Sequence, residues 1–407
     1  MGVEVRTVVD DELEAWIAAC NNGFMRPAAE GGGEFMREAG HDLDRCWAGF
    51  DGTSVVATLR SFATPLTLPG GEMVPTAALT SVTAKPTHRR QGLLTRMITP
   101  DLDNAAERGE VAGILIAAEW PIYGRFGYGN AADHCKLKLD VPRTRFLREA
   151  TGTVEMVDAE TARTECPAVY DRYRAGQPGA IERNARWWAI ATRLKSIPGF
   201  PFPERFWVLC RDKRGRAVGY VSYAVDDHWV DRRPENTATL GELVGVDEEA
   251  TLRLWQYLAQ IDWVQTIKAA DRSVDDPLHW QLHDGRALRA YERGDFLWVR
   301  PLDVPGLLSA RRYPVEQRVV FEVVDDMGWA AGRFALDGGP EGATCKRVRT
   351  RPDLTFSASS LGAVSLGGVS VATLARAGQI DEHRAGAAAR ADAFFRWPVM
   401  PWCNTWF

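Results

Sequence analysis

The chain has 407 residues, a net charge of −5 and 45% hydrophobic content, too long for one core, since single cores stop growing at roughly 250 to 300 residues. Its basic clusters, such as Arg311-Arg312 and Lys346-Arg347-Val348-Arg349, are short and sit among acids, which argues against a nucleic-acid partner. No apolar run approaches the ~18 residues that cross a bilayer, and Glu4, Asp10, Asp11, Glu12 and Glu14 interrupt the segment where a signal peptide would be apolar, so a cytoplasmic enzyme without a membrane partner is expected.

In chain order, Val3 to Val8 reads as a strand and Asp10 to Phe24 as a helix with an acidic first turn. Cys46 to Phe50 and Thr53 to Leu66 alternate about Asp51-Gly52, a hairpin signal. After the turn Leu68-Pro-Gly-Gly71, Met73 to Ala84 returns as a long strand. Arg90 to Arg108 is an amphipathic helix closed by Gly109. Val111 to Ala118 is a short apolar run of the kind buried on both faces.

A second region begins near Pro142 with a helix-rich stretch around Tyr170, Tyr173, Trp187 and Trp188. Strands at Phe206 to Leu209, Ala217 to Val225 and Ala238 to Val246, then a helix at Glu248 to Ile261, repeat the order of the first region. Its strand-to-helix junction, Val244-Gly-Val-Asp-Glu248, offers acids where an anion site needs cations. From Asp295, strands at Phe296 to Val299, Arg318 to Val324, Gly328 to Leu336 and Thr355 to Ser357 precede helices at Ser359 to Leu366 and Gly368 to Ala377. The tail from Ala387 to Phe407 is rich in aromatics, and burial is expected of it, although chain ends usually fray.

The sharpest local signal is Thr87-His-Arg-Arg-Gln-Gly-Leu-Leu94, between a strand and a helix. A helix N-terminus presents unpaired N–H groups and partial positive charge. Gly92 lets backbone approach an anion, Arg89 and Arg90 add charge-assisted contacts, and Leu93 is the further cofactor-binding candidate of the loop. This is a cradle for a pyrophosphate. The alternative is a surface helix start with two solvated arginines. The seven cysteines form no C-x-x-C and the histidines no H-E-x-x-H, so no metal is expected. Gly31-Gly-Gly33 lacks the context of a dinucleotide fingerprint, and Ser365 misses a nucleophile elbow by one residue.

The strand, the arginine-glycine loop, the helix, the next strand and then Tyr123-Gly-Arg-Phe-Gly-Tyr128 together resemble the GNAT acetyltransferases. Pro86 to Leu94, Ile122 to Gly129, Gly241-Glu-Leu-Val-Gly245, Leu297 to Pro305 and the aromatic C-terminus resemble the Eis-like branch over nearly the whole chain. The sixth loop position is Leu94, where the superfamily usually has Gly or Ala. The resemblance implies tandem GNAT domains, each a mixed twisted sheet flanked by helices, and a sterol-carrier-like α+β third domain. These are expected at 1–142 (catalytic), 143–294 (degenerate) and 295–407, whose C-terminus enters the active site. It further implies acetyl-CoA as co-substrate, a small-molecule amine such as an aminoglycoside or polyamine as acceptor, and a homo-hexamer.

An alkyl amine must lose a proton before it attacks, the oxyanion needs a backbone donor, and the leaving thiolate needs an acid. An irregular strand edge from Val82 to Ala84 can supply the donor. The resemblance implies Tyr123 as the acid and the terminal carboxylate of Phe407 as the base. Aminoglycoside-acetylating relatives carry acids at the positions matching Arg26 and Trp406; with Phe24, Phe35 and Met36 these make an expected substrate pocket for a less cationic or more aromatic amine. A lipid- or sterol-binding module and a non-catalytic GNAT scaffold are the competing readings.

Overall fold

The computed structural model describes every residue except Met1, Ala28 and Pro201. The first unit contains β1 (Glu4–Thr7), α1 (Leu13–Gly23), α2 (Gly32–Glu38), β2 (Cys46–Asp51), β3 (Ser54–Thr67) and β4 (Met73–Ala84). It continues with α3 (Leu93–Glu107), β5 (Ala112–Ile116), α4 (Trp120–Tyr123) and β6 (Gly129–Asp140). The second unit opens with β7 (Thr153–Val157), α5 (Ala159–Arg174), α6 (Ala185–Ala191), β8 (Phe206–Arg211) and β9 (Ala217–Val225). A separate two-stranded hairpin, β10 (Trp229–Val230) with β11 (Arg233–Pro234), precedes β12 (Asn236–Gly245), α7 (Glu248–Ala259), β13 (Val264–Arg272) and β14 (Leu288–Pro301).

These strands form one sheet in the order β1-β2-β3-β4-β5-β14-β6-β13-β12-β9-β8-β7. Antiparallel pairing of β6 with β13 joins the two units edge to edge. β14 runs antiparallel between β5 and β6, with Leu297 opposite Ile116 on one side and Ala132 on the other. Residues 295–301, grouped on sequence with the third region, are therefore the second half of a strand inserted into the first unit. The first half of β14 is mostly exposed and polar, whereas its last six residues, Phe296–Pro301, are buried. Only the buried half carries an apolar strand pattern.

The third unit comprises α8 (Val304–Ser309), β15 (Gln317–Val324), β16 (Gly332–Gly339), β17 (Gly342–Arg347), β18 (Leu354–Ser357), α9 (Ala358–Val364), α10 (Val371–Arg376), β19 (Ile380–Glu382) and α11 (Ala387–Phe395). Its five-stranded sheet has the order β17-β16-β15-β18-β19. Phe321, Phe356, Phe394 and Phe395 fill its centre, and Tyr313 stacks on Phe394 with centroids 4.1 Å apart. The buried Arg311 is held there by the carbonyls of Ser365 (2.6 Å) and Phe395 (2.7 Å). Among the described residues no helix is long and apolar enough to cross a membrane.

Among the described buried polar groups of the first unit, one acid lacks a cation. Asp101 on α3 accepts hydrogen bonds from Ser61 Oγ (2.8 Å) and Trp47 Nε1 (3.1 Å), and its second oxygen is buried without a partner. Burial pushes its carboxyl from 3.8 up to about 6. A raised acid stabilises the fold below the unfolded value, and that contribution is lost as pH climbs through the folded one. Between pH 4 and pH 7 this loss is about 3 kcal/mol at 1.36 kcal/mol per unit. Asp101→Asn is expected to flatten the fall of melting temperature between pH 4 and pH 7; an unchanged slope in the variant would assign the dependence elsewhere.

Candidate active site

The site is built where two neighbouring strands part. β4 pairs with β5 in parallel only from Thr76 to Leu79, opposite Ala112 to Leu115. On its other edge, the ladder to β3 shifts between Thr58 and Arg60, so β4 carries one extra residue there. Ser81 absorbs the bulge at φ +56°, and its carbonyl accepts the Thr58 hydroxyl at 2.8 Å. Bulges re-aim a strand where pairing ends. The edge of β4 that faces β5 lower down therefore has no strand partner from Thr80 to Ala84, and Val82, Thr83 and Ala84 line the resulting cleft.

The chain leaves β4 through a helical turn at Pro86–His88 and reaches α3 at Leu93, three residues later than the apolar periodicity places it. Arg90 at φ +63° and Gly92 at φ +74° make the intervening turn left-handed. For an arginine this is a strained conformation, of the kind that clusters at functional sites. Gly92 caps α3 without a side-chain hydrogen bond, and the first turn holds no acid. The first helical bond runs from Arg96 N to Gly92 O, leaving the N–H groups of Leu93, Leu94 and Thr95 without an intrahelical acceptor. A Cβ built on Gly92 meets nothing within 4 Å, so the approach to these donors is open.

The second unit shows the contrast. Asp247 caps α7 with its own carboxylate, accepting from Ala250 N at 2.8 Å, and Glu248 and Glu249 follow. One donor is already taken by a carboxylate and the charge is negative, which disfavours a phosphate at this helix start.

Arg89, Arg90, Gly92, Leu93, Val82 and Ala84 all line one cleft of about 550 Å³ with Phe24 and Tyr123. Leu93 is buried, so its contribution is its backbone. Tyr123 ends α4, only 6% exposed, with its ring edge-on to Tyr128. Burial, with Glu119 adding to it, raises its phenol to about 12, and no hydrogen bond offsets this. The turn after it packs closely against β14. Gly127 has φ +80°, and a Cβ there would lie 2.7 Å from Arg300 Nε. Arg300 is in turn clasped by both oxygens of Asp325, each at 2.8 Å.

The other expected residues disperse. Met36 lies on α2, unanticipated as a helix, and is buried in the core with Leu13, Trp16 and Cys46. Phe35, on the same helix, lies under the Arg186 guanidinium at 3.9 Å and gives that side chain its carbonyl at 2.6 Å. Arg26 is exposed, sits over Phe24 (5.2 Å) and Phe200 (4.9 Å), and borders a separate groove with Asn22 and Lys85. Phe407 is half-buried, its ring edge-on to Phe62 of β3 at 5.7 Å, and is not a wall of the Tyr123 cleft. Trp406 is 59% exposed, donates to Asp271 at 2.7 Å and lies edge-on to Phe296.

The terminus is positioned by the second unit, which sequence alone did not reveal. Arg183 donates to Thr405 Oγ1 (2.9 Å), the Asn404 carbonyl (2.8 Å) and Glu242 (2.8 Å), between the faces of Tyr170 and Trp187. Gln177 holds the Met400 carbonyl at 2.9 Å, and Trp402 donates to the Asp271 carbonyl at 2.7 Å. A lone arginine beside Trp187-Trp188 carries no local pattern that announces this clamp. Arg183→Met strands the half-buried Glu242, and a stranded partner costs up to about 3 to 5 kcal/mol. The variant is expected to unfold at lower denaturant and to lose its last residues to carboxypeptidase far faster than the native chain. Equal digestion rates would show that the tail is held without Arg183.

Comparison with known proteins agrees with this architecture. Residues 4–131 and 179–301 each match an acetyltransferase (GNAT) domain family, and residues 304–404 match a sterol carrier protein domain. The chain is 40% identical to an uncharacterized N-acetyltransferase of Streptomyces avermitilis, over 100% of this chain and 99% of the other. It is 34% identical to N-acetyltransferase Eis of Mycobacterium tuberculosis, over 84% of each chain. The crystal structure of Eis1 from Mycobacterium abscessus superposes with a TM-score of 0.88 at 30% identity, covering 99% of this chain and 100% of that one. Two GNAT units on one sheet, an uncapped helix start in the first of them and a sterol-carrier-like third unit thus place this chain in the Eis-like family of GNAT N-acetyltransferases.

Proposed function

We propose that this enzyme transfers the acetyl group of acetyl-CoA to a primary amine of a small molecule by direct attack. The observation that carries the reading is the joining, in one cleft, of the uncapped start of α3, the unpartnered edge of β4 and Tyr123. The three free N–H groups at Leu93, Leu94 and Thr95, flanked by Arg89 and Arg90, fit a pyrophosphate. Acetyl-CoA supplies an activated acyl carbon and a thiolate leaving group. The backbone N–H groups of Val82 to Ala84 bind the carbonyl oxygen as it gains charge. The terminal carboxylate of Phe407, which is not a wall of this cleft, is the group assigned to reach the acceptor nitrogen and take its proton, and Tyr123 Oη gives its proton to the sulfur. With its phenol near 12, Tyr123 is protonated at neutral pH. The enzyme works as a homo-hexamer in the cytoplasm.

The test is a thiol-release assay with acetyl-CoA against a panel of primary amines, including aminoglycosides and polyamines, beside calorimetry with coenzyme A. Acceptor-dependent release is expected. Coenzyme A binding without release under any acceptor would favour the non-catalytic scaffold, and absence of both would end the reading.

A further inference from the structure

A cavity of about 290 Å³ lies between the second unit and the C-terminal tail. Its walls are aromatic: Trp187, Phe202 and Trp207 from the second unit, with Trp402 and Trp406 from the tail. Most of its charged groups are already paired. Arg183 holds Glu242, Arg272 holds Asp276 at 2.7 Å, and Asp271 accepts from His134 at 2.7 Å. Arg205, which precedes β8, is the exception. Among the described residues its half-buried guanidinium has no ion pair and no hydrogen bond, and the acid whose field it feels, Glu242, is engaged by Arg183.

The guanidinium is seated over bare backbone. A Cβ on Gly241 would lie 2.6 Å from Arg205 Cζ and 2.5 Å from Ser222 Oγ, a fully buried hydroxyl that itself lacks a partner. A guanidinium half withdrawn from water without an acid costs free energy that an incoming anion recovers. A fork of N–H donors suits a carboxylate, and flat indole walls suit a planar ring. We propose that this cavity anchors the acceptor by an aromatic carboxylate, with Arg205 as the partner of the anion. The assignment deepens the acetyltransferase reading and rests on it, because Trp406 makes the cavity wall one residue before the terminal carboxylate. A polycation, by contrast, would meet an unneutralised arginine.

The experiment uses full-length protein, with 3-phenylpropionate and its uncharged amide, 3-phenylpropionamide, as calorimetric probes. The acid is expected to bind at least tenfold more tightly than the amide. It should also raise the apparent KM of the amine acceptor while leaving that of acetyl-CoA unchanged. Arg205→Gln should erase the preference for the acid and Arg205→Lys should keep part of it. Gly241→Ala, which pushes the guanidinium aside without removing it, should weaken binding of the acid. Equal binding of acid and amide, or a preference that survives Arg205→Gln, overturns the site. If amines turn over without that preference, the site fails and the acetyltransferase reading stands. If the preference depends on Arg205 but no amine is ever acetylated, the anion site stands and that reading fails.

Discussion

Tyr123→Phe is expected to lower kcat by roughly 100- to 10,000-fold, the range typical of losing a positioned general acid. That is about 3 to 5 kcal/mol in the barrier at 1.36 kcal/mol per decade. Among the described residues the phenol makes no hydrogen bond, so the variant should melt close to the native temperature and bind coenzyme A with native affinity. The signs with pH separate acid from base. A phenol near 12 stays protonated throughout the accessible range, so the native rate should not fall on the alkaline side until pH approaches that value. Any acidic limb belongs to the group that must be deprotonated. Stopped-flow thiol release across pH 6 to 10 checks both arms. A Tyr123→Phe enzyme within about threefold of native kcat would move the acid to another group or to solvent.

The residues that announce this chemistry in sequence act through local backbone. Arg89, Arg90 and Gly92 are consecutive enough to be recognised as a turn into a helix, and the contrast with Asp247 at the matching junction of the second unit is equally local. The hairpins at Asp51-Gly52 and Pro69-Gly-Gly71 are legible for the same reason, since the glycines at 52, 70 and 71 all have positive φ. Even so, the helix start was misplaced by three residues, because Arg90 adopts a conformation that arginine seldom takes.

What stayed hidden depends on distant segments. β14 reads as a short strand of the third region because only its last six residues are buried, and nothing in them says that β5 and β6 receive them. β6 and β13, whose pairing joins the two units, were not anticipated as strands at all. The bulge at Ser81 follows from a mismatch with Arg60 and Thr58 of β3, more than twenty residues away, not from any turn residue of its own. The tail was expected to be buried for its aromatics, and Trp402, Cys403 and Thr405 are. That it runs across the second unit is settled by Arg183 and Gln177, whose partners lie more than 200 residues away. In the second GNAT unit the matching helix start is acidic and capped by Asp247, and this unit instead holds the chain end through Arg183 and Gln177.

Adding one glycine after Phe407 is expected to collapse turnover by about 100-fold or more, the contribution of a general base. The addition replaces the terminal carboxylate with a neutral amide that cannot take a proton, and moves the charge by about 3.3 to 3.6 Å, one extended residue. Little else should change. The clamp from Arg183 and Gln177 grips Thr405, Asn404 and Met400, so the melting temperature should hold. The cradle at α3 lies in a cleft that Phe407 does not line, so coenzyme A should bind as before. Phe407→Ala gives the complementary arm. It keeps a terminal carboxylate but loses the contact with Phe62, so an intermediate loss of kcat is expected from looser positioning. If the glycine-extended enzyme turns over normally, the base lies elsewhere, and the clamp on the tail serves to shape the acceptor cavity beside Trp406 and not to deliver a proton acceptor.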